Sequence, residues 1–531
     1  MGSMDTPEHT EKNPVSPGAA FWGVLAVAAC LRLYALGRHA LWYDEGASVF
    51  LARYVDLHGS LFRSEFTTEP PMMAILSWIW QGLLSPLPIS RISWEHDAAL
   101  RLLPAGFGLA SVACVYFGAH ALLHDRRAAL GAMAAVAVAP LQIYYAQEFR
   151  IYTFYVLLAL LASGCMIRAV ESGERKYWIG MVACLTILMY SHFISMFLIF
   201  TLNAAFVLAL PWHYRQLRPW FLWNLLLMLL IAPALYLAFR MQGHVDTQTI
   251  PWYPPPTWKT ALVTAKIFFA AYTPRAWAYW PLFLLGLAGT GWGLFSLRQR
   301  PLLALTALAL VAVPVTLGLL IWGRAHFSFY EHRLFLYSGT VAVLLCGIGL
   351  ARLPRLPAMG LSALALVFVL PCLNDVYAQN LHRFPLHNIA MWDKVDFRSA
   401  ARHIEDHWQE GDLIAHVSHF GIYSMPSYLD KPQKRLGMAP SDLRYIAKLM
   451  GNAPLLIHHD IMPVMLEKAT AGAKRLWLLR CYGITFEDVP YGDALQARLE
   501  QDWTPVETRH YDGVVLRCYV RKDAQNGSST P

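Results

Sequence analysis

Two adjacent carboxylates, Asp44 and Glu45 in the stretch GRHALWYDEGASVF, follow the first apolar run of the chain. Ionised groups at the edge of a membrane-like segment are costly and are kept where they face water, a cavity or a partner. Carboxylates there can act as a general base, hold a divalent metal, or favour the N-terminus of a helix lying on the membrane. Other connectors hold groups of complementary chemistry. TTEPP carries Glu69, Arg101 opens the second apolar run, and YYAQEFRIY supplies Gln147, Glu148, Arg150 and Tyr152. YSHF supplies Tyr190 and His192, and RAHFSFYEHRLF supplies Tyr330, Glu331, His332 and Arg333. Arginines clamp phosphate through paired N–H donors. A base together with phosphate-clamping arginines suits group transfer from a phosphate-bearing substrate that reaches the site through the bilayer. Each group also has a plain structural role open to it: the carboxylates as helix caps, the arginines as snorkelling anchors, His192 as a hydrogen-bonded interface residue. What favours a site is that they gather at one membrane face.

That gathering depends on topology, which composition and charge define. The chain has 531 residues, is 56% hydrophobic and only 15% charged, and its mean hydropathy is +0.37. Soluble domains carry about 25% charged residues, so a polytopic membrane protein is expected. The net charge of +8 does not indicate nucleic acid, because Lys and Arg cluster in short connectors between apolar runs, as in cytoplasmic loops. Candidate spans fall at 21–37, 101–123, 128–145, 152–169, 177–191, 194–211, 220–239, 277–297, 302–322, 334–350 and 357–373. The connectors HDRR (124–127), RAVESGERK (168–176), HYRQLR (213–218), RQR (298–300) and ARLPR (351–355) are basic, and the intervening ones are longer and aromatic. With the basic set inside, the N-terminus is inside, the C-terminus outside, and Asp44 lies on the outer face. Residues 71–88 are apolar enough to tempt assignment as a span, but a span there would invert every later basic loop. They are expected to lie along the interface, anchored by Trp78 and Trp80, within one large outer loop 38–100.

The termini differ from this core. Residues 1–20 are polar and Pro/Gly-bearing, expected as a disordered cytoplasmic tail; MGSMDT also fits a myristoylation pattern of low specificity. Residues 375–531 change composition and read as a soluble extracytoplasmic α/β domain: an amphipathic helix in DFRSAARHIEDHW, strands in AKRLWLLRCYG and GVVLRCYVRK, and a helix in YGDALQARLEQDW. Cys481 and Cys518 on two of those strands are either a disulfide or buried thiols. The overall expectation is a membrane domain over 21–374 with about eleven spans, followed by that domain.

Four stretches, LWYDEGASVFLARY, EPPMMAILSWIW, RLLPAGFGLAS and PLQIYYAQEFRIYTFYVLLALL, resemble in that order the membrane-embedded GT-C glycosyltransferases. The nearest group is the protein-mannosyltransferase-like superfamily, which includes the aminoarabinose transferase of lipid A. EHRLFLY resembles the start of a late helix in that group, and DFRSAARHIEDHWQEGD the opening of its C-terminal outer domain. The resemblance implies a polyprenyl-phosphate-linked sugar as donor, with inversion at the anomeric carbon. It implies Asp44 as the base on the acceptor hydroxyl, Arg150, Arg333 and Arg101 at the donor phosphate, and Glu45 orienting the acceptor or sharing a metal with Asp44. Glu69, Gln147, Glu148, Tyr152, His192 and His332 are the expected substrate contacts. Glu69 stands where His or Lys commonly precedes the Pro-Pro segment, and Ala105 follows RLLP where Ser is common. The acceptor class stays open among glycan, lipid and protein. No organic cofactor is implied, and a divalent metal is left open.

The expected setting is a multi-pass protein of a bacterial inner membrane with its site on the periplasmic side. The competing reading is a lipid or glycan transporter, or a non-catalytic assembly subunit, using the same cavity. Transporters tend to carry repeated halves and charges at the midplane, and neither pattern occurs in this sequence.

Overall fold

Apolar stretches inside a bilayer can satisfy their own peptide groups only as helices or closed barrels, and here every expected span is helical. The computed structural model describes residues 18–52, 70–242, 255–323, 330–381, 394–417, 419–437, 463–481 and 488–522. Its first part runs α1 (Ala19–Leu33), α2 (Tyr43–Ala52), α3 (Met72–Leu84), α4 (Trp94–Leu123), α5 (Arg126–Val138), α6 (Pro140–Ala146), α7 (Tyr152–Ser172) and α8 (Arg175–Met189). It continues through α9 (Ser195–His213), α10 (Leu217–Gln242), α11 (Trp258–Ala270), α12 (Ala276–Phe295), α13 (Pro301–Trp322), α14 (Leu336–Ala351) and α15 (Arg355–Ala378). Among the described residues, six helical stretches are long and apolar enough to cross a membrane, or seven if the bent pair α5–α6 is one span. One of the six, 195–236, is 42 residues long, about 63 Å at 1.5 Å per residue and twice a bilayer. It doubles back at Tyr214–Gln216, because Phe206 and Trp220 stack with ring centroids 4.9 Å apart. Fourteen residues along a continuous helix would separate them by about 21 Å. The stretch is therefore the two expected spans. α11 was not foreseen; its polar start WKT and buried Lys266 mask its apolar face in the sequence.

The segment 71–88 forms one short helix, α3. α3 is 13 residues, about 20 Å, too short for a core of about 30 Å. It exposes Trp78, Ile79 and Leu83, buries Met73 and Ser77, and donates from Trp80 Nε1 to the Ala99 carbonyl at 2.9 Å.

The third span is broken by 59° between α5 and α6. Pro140 has no N–H to return to the Val136 carbonyl, and the bend frees Ala137 as well. Arg32 of α1, 1% exposed, fills the gap: its guanidinium donates to the carbonyls of Val136 (3.3 Å), Ala137 (2.9 Å) and Ala28 (3.2 Å). Unsatisfied buried carbonyls cost about 1–3 kcal/mol each. Arg32→Met is therefore expected to lower stability by about 2–4 kcal/mol, read as a fall in the thermal midpoint in detergent; an unchanged midpoint would mean the break does not depend on Arg32.

Close helix crossings rest on glycine. A Cβ at Gly131 of α5 would meet the Gly347 carbonyl of α14 at 2.5 Å, and one at Gly347 would meet the Gly131 carbonyl at 2.3 Å. Packing by small residues of this kind is the usual glue between helices in lipid.

The C-terminal part is α/β. It comprises α16 (Phe397–Asp406), β1 (Asp412–His416), α17 (His419–Ser424), β2 (Gln433–Gly437), β3 (Pro463–Met465), α18 (Leu466–Ala469), β4 (Arg475–Cys481), α19 (Asp488–Asp502), β5 (Trp503–Tyr511) and β6 (Val514–Arg521). The strands form one sheet in the order β3-β2-β1-β4-β6-β5, parallel from β3 to β4 and antiparallel from β4 to β5. β1 is buried along its whole length, as strands covered on both faces are. Cys481 and Cys518 are not joined in a disulfide. On the β4–β6 ladder Cys518 stands opposite Trp477 and Cys481 opposite Val514, so four residues, about 13 Å, separate the two thiols. The disulfide alternative is ruled out by register.

Candidate active site

α2 starts at Tyr43, so Asp44 and Glu45 occupy its first turn, where negative charge suits the helix dipole. Neighbouring residues on a helix diverge by about 100°, and the pair splits accordingly. Glu45 turns inward and is fully buried. Its Oε1 accepts from Arg101 Nε (2.7 Å) and from the Phe149 amide (2.8 Å); its Oε2 accepts from Arg101 Nη2 (2.7 Å) and the Trp42 amide (3.3 Å). Arg101 has further donors on the carbonyls of Leu36 (3.0 Å), His39 (2.7 Å) and Ala40 (3.0 Å). Burial pushes the Glu45 carboxyl up, but Arg101, Lys394 and the Phe149 amide outweigh it and hold the group at about 2. This pair ties α2, α4 and the chain before α2 into one unit.

Asp44 faces the other way, with its side chain 15% exposed. Its Oδ2 accepts from Arg333 Nη1 at 2.5 Å, and Arg333 Nε pairs with Glu331. Arg333 lies in the short helical turn leading into α14 and Glu331 just before it, so residues 289 positions apart in sequence meet.

The connector between α6 and α7 closes the site from a third side. Gln147 donates from Nε2 to the carbonyls of Arg32 (3.0 Å) and Tyr34 (2.7 Å), anchoring the turn on the end of α1. Arg150, 6% exposed, donates from Nη1 to Ser48 Oγ (2.9 Å) and to the Asp44 carbonyl (3.3 Å). The Tyr152 ring faces both guanidinium groups: Arg150 Cζ lies 5.9 Å and Arg333 Cζ 5.6 Å from its centroid. Both arginines thus stand against one aromatic ring and beside Asp44. Met73, Leu103, Phe107, Ile151 and Phe154 from α3, α4 and the start of α7 make the apolar surroundings of Arg150.

Glu148 is buried with 1% exposure. Burial raises its carboxyl, Lys394 draws it down, Glu45 raises it again, and Tyr144 and Arg333 lower it, leaving it at about 7. His332, 1% exposed, stands 6.2 Å in ring-centroid distance from both Tyr272 and Tyr330. Tyr272 and Tyr145 share a 2.6 Å hydroxyl contact. His192 sits in the turn between α8 and α9, its Nδ1 accepting from the Ile194 amide (3.2 Å) and its ring 6.4 Å from Tyr155. Glu69 lies outside the described residues. The structure thus brings together Asp44, Arg150, Tyr152 and Arg333, sets Glu45 and Arg101 behind them, and places His332 and His192 in the aromatic packing around α7 and α14. Among the described residues no three His, Cys, Asp or Glu side chains converge as metal ligands.

Residues from the C-terminal domain complete this region. α17 packs on α2, where a Cβ at Gly46 would meet Ser424 Cα at 2.7 Å. Phe50, Ile422 and Tyr423 form a small apolar cluster there. Asp97 of α4 accepts from Arg398 Nη1 (2.7 Å) and Tyr428 Oη (3.1 Å), and Tyr428 Oη accepts from the Leu41 amide (2.7 Å). Lys394 Nζ reaches the Gln147 carbonyl (3.2 Å) and lies 3.8 Å from Glu45 Oε2. One signal existed: Asp97 and Arg101, four apart at the head of an apolar helix, share a face and needed partners. A lone lysine in MWDKVD has no such mark.

Residues 69–237 match the model of the family described as dolichyl-phosphate-mannose-protein mannosyltransferase. No curated protein sequence matches the chain. Among solved structures, ArnT from Cupriavidus metallidurans bound to undecaprenyl phosphate is similar at 13% identity and TM-score 0.62, covering 94% of this chain and 98% of that one. The same protein in its apo state gives a TM-score of 0.63 at 13% identity, over 94% of this chain and 97% of that one. The apo oligosaccharyltransferase of Archaeoglobus fulgidus gives a TM-score of 0.51 at 10% identity, over 93% of this chain and 74% of that one.

Proposed function

We propose that this integral membrane protein, which shares the fold of ArnT and matches the mannosyltransferase family model over residues 69–237, is a GT-C glycosyltransferase that moves a sugar from a polyprenyl-phosphate donor to an acceptor hydroxyl, with inversion. The observation that carries the reading is the Asp44 carboxylate held by Arg333, with Arg150 against the same tyrosine ring. In the reaction Asp44 takes the proton of the acceptor hydroxyl as its oxygen attacks the anomeric carbon. The bond from that carbon to the phosphate oxygen breaks, and its electron pair leaves on the polyprenyl phosphate. Arg333 and Arg150 stabilise the charge that develops there. A phosphate is a good leaving group, so one base suffices where glycosidases need an added acid.

Arg333 is shared in this scheme. Before the donor binds it neutralises Asp44; a donor phosphate competes for the guanidinium and leaves the carboxylate free to accept a proton. ArnT of Cupriavidus metallidurans, which shares the fold, is bound to undecaprenyl phosphate. Glu45 and Arg101 act as positioning residues, since their polar atoms are spent on each other and on backbone. Gln147 anchors the turn that presents Arg150, while Glu148, Tyr152, His332 and His192 shape the surroundings of the sugar. The site lies on the extracytoplasmic side, in a bacterial host the periplasmic side of the inner membrane. The acceptor is a glycan, lipid or protein of the envelope.

Mass spectrometry of envelope glycans and lipids, with and without the gene, tests the reading. The expected result is one species heavier by a single sugar only when the protein is present. Unchanged glycoforms with an altered distribution of a lipid across the membrane would instead indicate transport.

A further inference from the structure

Besides Asp44 and Glu45, α2 carries Ser48, one turn beyond Asp44 on the same face and 1% exposed. A serine hydroxyl has one hydrogen to give and lone pairs to offer. Ser48 gives its hydrogen to the Asp44 carbonyl at 3.0 Å, the bond to residue i−4 that serines make in many helices. That bond commits the hydroxyl and turns its lone pairs away from the helix. Arg150 meets them: its Nη1 donates to Ser48 Oγ at 2.9 Å and to the Asp44 carbonyl at 3.3 Å. The arginine arrives from the turn before α7, 102 residues along the chain, so the contact is no by-product of helix formation. An Nη carries two hydrogens, and both are engaged here, which fixes the plane of the guanidinium.

α2 is itself held on its other faces. Glu45 is locked to Arg101. Gly46 lies so close to α17 that a Cβ there would fall 2.7 Å from Ser424 Cα. A helix fixed in this way is a rigid spacer, and four residues advance it by about 6 Å. Asp44 stands at one end of that interval, and the hydroxyl that holds Arg150 stands at the other. Arg333, on Asp44 Oδ2 at 2.5 Å, and Arg150 both face the Tyr152 ring. Resting on the glycosyltransferase reading for its role in activity, we propose that Ser48 is a positioning residue that holds Arg150 one helical turn from Asp44. α2 alone then sets the spacing between the base and the arginine that meets the donor phosphate. Ser48 acts through Arg150 and needs no contact with substrate.

The test uses the purified full chain in lipid nanodiscs and a double-variant cycle over Ser48→Ala and Arg150→Met. The probe is undecaprenyl phosphate, the lipid bound to ArnT of Cupriavidus metallidurans, and binding is read by native mass spectrometry. Ser48→Ala removes the shorter of the two Nη1 bonds. It is expected to raise the Kd about 10-fold, as loss of a hydrogen bond to a charged group does, with the thermal midpoint little moved. On the Arg150→Met background the same change is expected to alter the Kd by less than about 2-fold, because nothing is left to position. The same loss in both backgrounds, or no loss in the wild type, overturns the proposal. Should Ser48→Ala fail to purify, Ser48→Cys, which keeps the size of the side chain but is a weak acceptor, replaces it in both backgrounds. In transfer, Ser48→Ala is expected to lower kcat about 10-fold with the acceptor KM unchanged, since the acceptor is met by Asp44. A raised acceptor KM at unchanged kcat overturns the proposal. A wild type that binds the lipid but transfers no sugar would sink the glycosyltransferase reading, while the Kd cycle still decides the role of Ser48. A wild type that does not bind the lipid overturns both.

Discussion

Asp44→Asn is expected to reduce sugar transfer by about 10²–10⁴-fold, the range for removal of a general base, while the protein folds and inserts normally. Asparagine keeps the shape of the side chain and can still meet Arg333, but it cannot take the acceptor proton. The stability cost is small because the Asp44–Arg333 pair is partly open to solvent, with side chains 15% and 21% exposed. Pairs of that kind are worth about 0–1 kcal/mol, and Arg333 keeps Glu331 as a partner. The variant therefore separates chemistry from structure: thermal midpoints should differ by little while rates differ by orders of magnitude. Transfer at the wild-type rate by Asp44→Asn would move the base to another residue.

Glu45→Ala is expected to do the opposite, with the stability of the fold as its main readout. Removing one member of a buried ion pair strands the other, at about 3–5 kcal/mol. Here the stranded group is Arg101, 1% exposed and flanked by three backbone carbonyls, and the Phe149 amide loses its acceptor as well. The thermal midpoint in detergent should drop steeply, and the Glu45→Ala/Arg101→Met double variant should regain part of the loss. The same carboxyl gives the acid response a sign. Its folded value, about 2, lies below the ordinary 4.5, so its contribution is complete above about pH 4.5 and is lost as pH falls toward 2. In Glu45→Ala that portion of the acid sensitivity should vanish. A variant that melts with the wild type would show that α2 is placed by other contacts.

Hydropathy and basic loops made the membrane domain legible, because a bilayer leaves the backbone few options. The expectation that 71–88 does not span followed from the sidedness of later arginines, and α3, at 13 residues, is short for a span. The grouping of Asp44, Arg150 and Arg333 was legible for the same reason: topology brought their connectors to one face. The partner of each charge was not. Sequence cannot tell which arginine is spent on a buried carboxylate and carbonyls, and Arg101 and Arg150 look alike until their hydrogen bonds are seen. The Pro140 break shows where such information hides, since the carbonyls it frees are answered by Arg32, 104 and 105 residues away. Contributions across the domain junction were hidden for a further reason. Asp97–Arg398 and Lys394–Gln147 join segments separated by 301 and 247 residues, and no periodicity spans that distance.

The most direct measurement of the central claim is release of polyprenyl phosphate. Purified wild-type protein in nanodiscs is given a lipid extract carrying the host's own polyprenyl-phosphate sugars together with the host's envelope acceptors, and the lipid products are followed by mass spectrometry. The account predicts free polyprenyl phosphate appearing mole for mole with acceptor one sugar heavier, and neither product with Asp44→Asn. Acceptor left unmodified while the donor stays intact, or equal product from wild type and Asp44→Asn, would contradict it.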